Sequence, residues 1–350
     1  MSRPVRIGVL RLVDSAPVMV AAERGLFAAC GLDAIVQVEP SWSNIADKLT
    51  YGLLDAAVML PPLAFAATMG LRGPAARLVV PMSLTQGGNM VVLNNDAATG
   101  VASSGGLLAW LSGQSDRPRF AVVHTFSTHN LLLRYWLAAS GVDPDRDIET
   151  LVIPPEDMVK ALGAGQIAGF CAGAPWGDVA AACGAGQVLL GTSAIWPHHP
   201  EKCLAVGAGW AETNPDALVL LTRALLQAQI LCDRADTAPE IATLLAQPDG
   251  LDLPEVATLA ALPGRNSAEQ ICFHARSAWF PAQAHALWFL GQMRRWGWVG
   301  DDADLPEVAR TVYRPDLLGP ALAAEGILSP QGLPALEEEV WLPSEPTSGP

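Results

Sequence analysis

Charge is scarce in this 350-residue chain: Asp, Glu, Lys and Arg make up 16% of it, against 51% hydrophobic residues. The balance is acidic, at a net charge of -14 and a pI near 4.8. A surface of that sign repels phosphate backbones and anionic lipid, so no direct nucleic-acid partner is expected. It repels small anions too, so an anion site must be built locally from a few buried donors and one or two cations. No run of about 18 apolar residues offers a membrane span. The six cysteines, Cys30, Cys171, Cys183, Cys203, Cys232 and Cys272, contain no CxxC pair. Most of them read as small buried hydrophobes, and the set fits a reducing compartment. In the opening MSRPVRIGVLRLVDSAPVMVAAERG the apolar stretch is broken by Arg11, Asp14 and Pro17. It lacks the continuous core of a secretory signal, so a cytoplasmic location is expected, with periplasmic as the alternative. There is no GxSxG elbow, HExxH or Walker A lysine motif, and no repeat of fixed period. Asp14, Asp47 and Asp55 are scattered and suggest no acid–base pair, so no enzyme is expected.

The length suits two lobes of ordinary domain size. Strand-like and helix-like segments alternate from the start: VRIGVL, then a helix from Ser15 to Gly31, then DAIVQVEP, SWSNIADKLTYG, LDAAVML, PLAFAATMG and ARLVVPMSL. After a polar, Gly/Ser-rich stretch near 94–118 the alternation restarts with RFAVVHTF, STHNLLLRYWLAASG, IETLVIPP, PEDMVKALGAGQ, IAGFCAG, PWGDVAAACGAG and QVLLGTS. From about residue 205 the pattern is helical, and the Pro- and Glu-rich end reads as a loose tail. The expected fold class is α/β, with doubly wound, mostly parallel sheets. Residues 1–93 with 205–330 form one lobe, 94–204 the other, and 331–350 the tail. The ligand crevice is expected between the lobes, where helix N-termini present free N–H groups and suit an anion.

Several long segments carry a family resemblance: GVLRLVDSAPVMVAAERGLFAACGL, EPSWSNIADKLTYGLLDAAVML, PMSLTQGGN, THNLLLRYWLAASGVDPDRD, FCAGAPWGDVA, HHPEKCLAV and FPAQAHALWFLGQMRRWGWV. Through them the chain resembles the nitrate/bicarbonate-binding proteins, NrtA/CmpA-like, which have the type II periplasmic-binding-protein fold. The resemblance implies four ligand contacts: the Trp42 indole N–H, the Asn89 amide, His129 at a helix start and the Lys202 ammonium. Nitrate only accepts hydrogen bonds and prefers one nearby cation, which such a set supplies. Bicarbonate also wants an acceptor. Its binding relatives pair it with a metal and an acidic residue where this chain has Lys202, so nitrate or nitrite is favoured. Two departures lie beside the site: Val58 replaces a histidine common in relatives, and LTQGGNMVV replaces their usual turn.

Within the family, the absent signal makes the chain similar to NasS, a cytoplasmic sensor that restrains an RNA-binding, NasT-like antiterminator partner. The alternative is the substrate-binding component of an ABC-type anion transporter. An enzyme like the thiamine-pyrimidine synthases, which share the fold, is the remaining reading, but their Cys-rich iron-binding segment is missing. No cofactor or metal is expected, and His198 and His199 read as a solvated pair. Pro175 and Trp176 are candidate cleft-lining residues. The stripe His285, Trp288, Phe289 and Trp296 reads as helix core, or as a partner-docking face.

Overall fold

The computed structural model describes residues 3–265, 267–328, 332–338 and 340–343. Its strands are β1 (Val5–Val9), β2 (Ala34–Val38), β3 (Ala56–Met59), β4 (Leu78–Ser83), β5 (Gln86–Gly87), β6 (Asn89–Asn94), β7 (Arg119–Val122), β8 (Glu149–Val152), β9 (Gly169–Gly173), β10 (Gly186–Gly191), β11 (Cys203–Gly207) and β12 (Ile271–Cys272). Ten of them build two sheets, in the orders β2-β1-β3-β11-β4 and β10-β6-β9-β7-β8. The central strands are near-continuous apolar runs such as AAVM in β3, as strands covered on both faces require. The fold is the α/β, periplasmic-binding-protein-like one.

Each sheet has four parallel strands and one antiparallel intruder. The intruder in the first sheet is β11, antiparallel to β3 and β4. In the second it is β6, antiparallel to β9 and β10. These are the strands that follow each crossing of the chain between the sheets. On sheet membership the first crossing falls at the Gly87–Gly88 turn, a few residues before the expected 93/94 boundary. Both glycines have positive φ, +69° and +85°, and a Cβ on Gly88 would lie 2.4 Å from Ile271 Cγ1. The short ladder of β5 with β12 fixes the C-terminal region to this crossing. The return crossing spans the segment between β10 and β11. There Trp196, wholly buried, packs on Trp288 at 4.4 Å and on His285 at 5.5 Å, both from the helix Gln283–Arg295.

The polar stretch 94–118 holds the helices Asn95–Ser104 and Leu107–Ser112; the Asn94 side chain starts the first and Gly105, with φ +82°, stops it. Two expectations change. Residues 203–207 are a strand rather than the start of the helical part. The tail expected to be loose is held down where it is described. Its helix Leu333–Glu338 lies close enough for Glu337 to accept from Gln283 N at 2.9 Å, and Trp196 Nε1 donates to the Trp341 carbonyl at 3.1 Å. Leu336 and Val340 supply the apolar face that drives the docking. Residues 331, 339 and 344–350 lie outside the described residues.

One helix, Pro215–Cys232, has mean hydropathy 1.2 over 18 residues and is long and apolar enough to cross a bilayer. Half of it is buried inside the fold, which is how a core helix meets the same criterion. The stripe on Gln283–Arg295 is also interior: Phe289 is wholly buried, and His285 and Trp288 nearly so. Trp296 packs on Arg134, whose guanidinium carbon lies 4.5 Å from its ring centroid.

Candidate functional site

Two helix starts and two crossing segments meet between the sheets. Ser41 caps the helix Trp42–Thr50 by accepting from Asn44 N at 3.1 Å, which places Trp42 at the first helical position. Ser127 does the same for Thr128–Ala139, receiving Asn130 N at 3.1 Å, and His129 follows in the first turn. Asn89 opens β6, directly after the Gly87–Gly88 turn. Lys202 ends the return crossing, one residue before β11. The crossings are bonded side by side: Leu84 N donates to the Lys202 carbonyl at 2.7 Å, Glu201 N to the Thr85 carbonyl at 2.9 Å, and Gly87 N to the His199 carbonyl at 3.0 Å. They form the floor on which the site stands.

All four residues suggested by the resemblance converge there, and all are buried: Trp42 at 2% exposure, Asn89, His129 and Lys202 at 0%. The chain contains only three lysines, Lys48, Lys160 and Lys202, and one of them is spent in the interior. Lys202 Nζ lies 5.6 Å from the centroid of the Trp42 ring. The Trp42 indole N–H and both ring nitrogens of His129 lack a hydrogen-bond partner among the described residues. Buried donors without partners are costly, and a ligand that accepts would satisfy the indole N–H and whichever His129 nitrogen carries the proton.

The expectation of a site made only of donors is corrected. Lys202 Nζ lies 2.5 Å from Glu201 Oε1 and 3.4 Å from Asp14 Oδ2. Asn89 Nδ2 donates to Glu201 Oε2 at 2.6 Å, and Thr85 Oγ1 donates to Asp14 Oδ1 at 2.8 Å. His129 Nε2 stands 3.4 Å and His199 Nδ1 3.6 Å from the Glu201 carboxylate. The solvated reading of the His198–His199 pair fails for one member: His199 is wholly buried with Nε2 2.7 Å from Thr192 Oγ1, while His198 is exposed at φ 58°. Asp14, Glu201 and His199 are thus the site residues that motif reasoning passed over. Gly173 of β9 completes the wall: a Cβ there would sit 3.3 Å from both Asn89 Oδ1 and Asp14 Oδ2.

Electrostatics follow from burial. Desolvation alone would push the Lys202 ammonium down, but Asp14 and Glu201 more than offset it and hold it above its ordinary range. Desolvation raises the Glu201 carboxyl to about 7, aided by Asp14 and opposed by Lys202. Burial lowers His129 well below the usual histidine value and His199 to about 4, with Lys202 adding to both, so both imidazoles are neutral at pH 7.

Trp176 is mostly buried at the start of the helix Trp176–Ala182 and follows the cis peptide Ala174–Pro175. With Leu12, Glu39, Pro40 and Pro155 it lines a cavity of about 290 Å³ where the ends of β1 and β2 meet the segment after β8. The two sheets are linked beside it, Val13 N donating to the Ala174 carbonyl at 3.2 Å. Val58, the departure from relatives, is a buried β3 residue opposite Leu204 and belongs to the sheet core.

Comparison with known proteins gives a consistent set of relatives. The NMT1-like family matches residues 1–246. The chain is 35% identical over 332 residues to the nitrate import ATP-binding protein NrtC of Synechocystis sp. (strain ATCC 27184 / PCC 6803 / Kazusa), covering 90% of this chain and 49% of that protein. It is 32% identical over 345 residues to the nitrate/nitrite binding protein NrtA of Synechococcus elongatus (strain ATCC 33912 / PCC 7942 / FACHB-805), covering 92% and 78%. The crystal structure of the periplasmic nitrate-binding protein NrtA from Synechocystis PCC 6803 superposes with a TM-score of 0.86 at 26% identity, covering 97% of this chain and 98% of that one. The chain spans about half the length of the import ATP-binding relatives it matches.

Proposed function

The chain belongs to the NMT1-like family of nitrate- and bicarbonate-binding proteins, and from that premise we propose that it binds nitrate or nitrite between its lobes as the ligand-binding part of an ABC-type import system. The relatives that it spans over most of their length are binding proteins, and it is not an enzyme. The observation that carries the ligand is the convergence of Trp42, Asn89, His129 and Lys202 from both lobes on one buried point. A buried ammonium with uncharged N–H donors around it can replace the water shell of a small monovalent oxyanion. The anion recruits donors from both sides and so favours the closed arrangement of the lobes.

Import is favoured over sensing by the names of the relatives, which are import and binding proteins. An importer's receptor works outside the cytoplasmic membrane, as the periplasmic relative does. In the alternative reading the same cleft serves a cytoplasmic, NasS-like sensor, and anion binding releases a NasT-like antiterminator. Affinity capture from native cells separates the two roles: a membrane permease–ATPase pair supports import, and an RNA-binding partner released by nitrate supports sensing.

The ligand is tested by a thermal-shift panel of nitrate, nitrite, bicarbonate and sulfate. At about 100-fold saturation a specific ligand adds roughly 2.7 kcal/mol of stability. A panel in which nitrate and nitrite leave the melting temperature unmoved overturns the reading.

A further inference from the structure

The cluster around Lys202 holds a surplus of negative charge. Asp14 and Glu201 set two carboxylates against a single ammonium, and all three are buried. With both carboxylates ionised the cluster is one charge negative before any ligand arrives. A monovalent oxyanion would make it two, in a place where solvent screens little. Proteins relieve such uncompensated buried charge by protonation.

The groups facing Glu201 leave few places for that proton. Lys202 and His199 come from the return crossing, Asn89 from β6 and His129 from the helix Thr128–Ala139. Asp14, from the turn Val13–Ser15, acts on Glu201 through its charge. The Cys171, Cys203 and Tyr313 protons also feel the Glu201 charge, and burial, the larger cause, holds all three groups in their neutral forms. Glu269 acts on His199 through its charge. Lys202 already carries its full complement of protons. Asp14 accepts from Thr85 and pairs with Lys202, while Glu201 stands 3.4 Å from the His129 imidazole, an acceptor beside an unpartnered ring nitrogen.

We infer that the cleft takes up its anion together with one proton, which is held on the Glu201–His129 pair. This rests on the oxyanion reading above and adds the co-ligand to it. Solvent supplies the proton. An O–H bond forms on a Glu201 oxygen or an N–H bond on His129 Nε2 as the matching bond of hydronium or the buffer acid breaks, and the conjugate base stays in solution. In either position it turns an acceptor into a donor and removes one negative charge from the cluster, and the two groups, 3.4 Å apart, titrate as one unit. Burial already brings Glu201 to about 7, so the proton is within reach at neutral pH. Nitrate has no proton of its own and must draw one from water. Bicarbonate carries an O–H that the Glu201 carboxylate can accept directly. The protonation state of the pair therefore sets which oxyanion the cleft prefers.

Calorimetric titration of the full chain with potassium nitrate in HEPES, TAPS and Tris tests this. At about pH 8 the observed enthalpy should vary with the ionisation enthalpy of the buffer, with a slope near one proton taken up, and Kd should weaken about tenfold per pH unit between about pH 8 and 9. In Glu201→Gln the slope should fall toward zero and Kd should become flat with pH. Wild-type protein that binds nitrate with zero slope and a flat Kd overturns the inference and leaves the oxyanion reading standing. Wild-type protein that gives neither heat nor thermal shift with nitrate or nitrite at any pH overturns both. The wild-type slope decides alone if the variant does not fold.

Discussion

Replacing Lys202 by methionine keeps most of the side chain's volume and removes the charge. In the folded protein the ammonium sits 2.5 Å from Glu201 and 3.4 Å from Asp14. An anion held about 4 Å from it at an effective dielectric constant near 20 gains about 4 kcal/mol. Loss of that attraction weakens Kd by roughly a thousandfold. The same substitution leaves two buried carboxylates facing each other, which costs about 3–5 kcal/mol of stability. Two measurements keep these effects apart: titration calorimetry with nitrate, and urea unfolding. The double variant Lys202→Met with Glu201→Gln removes one of the stranded carboxylates, so it should recover much of the stability and little of the affinity. If Lys202→Met is folded by circular dichroism and binds nitrate within about threefold of wild type, the electrostatic account of the site is refuted.

Trp42→Phe keeps an aromatic ring, deletes an indole N–H that has no partner among the described residues and leaves a small void; relief of the orphaned donor and the cost of the void oppose each other, so without ligand its melting temperature should stay nearly level, while nitrate affinity falls about tenfold, from a lost hydrogen bond to a charged group of roughly 1.5 kcal/mol. Gly88→Ala forces a Cβ to 2.4 Å from Ile271 at φ +85° and should cost on the order of 3 kcal/mol in urea unfolding, whereas Gly25→Ala, at φ +65° with open space, should cost about 1 kcal/mol. Burial is the leading cause that lowers His124 and His199 to about 4 and His285 to about 3, all below the ordinary 6.5. Above pH 6.5 these groups are neutral in both states. Between 6.5 and about 4 the unfolded chain takes protons that the folded chain refuses, so stability drops as pH falls, by up to about 1.4 kcal/mol per pH unit for each histidine. Glu201, raised to about 7, acts in the opposite sense between 7 and 4.5, while His129, lowered well below the ordinary value by burial, adds to the side of the other three histidines. Urea midpoints that are equal at pH 7 and 5, or higher at 5, would contradict buried neutral histidines.

The alternation of strand and helix is legible because its signals are local. Ser41 and Ser127 stand just ahead of helical periodicity, and Gly105 and Gly141 lie where helices stop. Periodicity fails where the pattern is short or diluted. CLAVG is an apolar run too brief to tell strand from helix, and only its pairing with β3 and β4 makes it a strand. The helices of 95–112 bury little besides Ala97, Leu107 and Leu111, so their Ser- and Gly-rich sequence shows only as a polar break in the alternation. The four residues of the resemblance were findable because they lie inside long matching segments. Asp14 and Glu201 lie inside matching segments too, but the resemblance gives them no ligand role. They sit in turns, without spacing or periodicity, and meet Lys202 only because distant crossings are bonded together: Asn89 and Glu201 are 112 positions apart. His199 looks like half of an exposed pair because the reversal at His198 that separates the two rings is a tertiary feature.

The exchange of strands between the sheets has a consequence for how the molecule is made. The first sheet lacks its fourth strand until residues 203–207 have been synthesised, and until then β3 and β4 have no neighbour on their facing edges. A nascent chain stopped short of that point presents two sticky borders, the template for wrong pairing with another chain. The last piece to arrive also carries Glu201 and Lys202 at its leading end. Assembly of the sheet and assembly of the charged cluster are therefore one event, and a fragment that ends before it can neither close its core nor hold an ion.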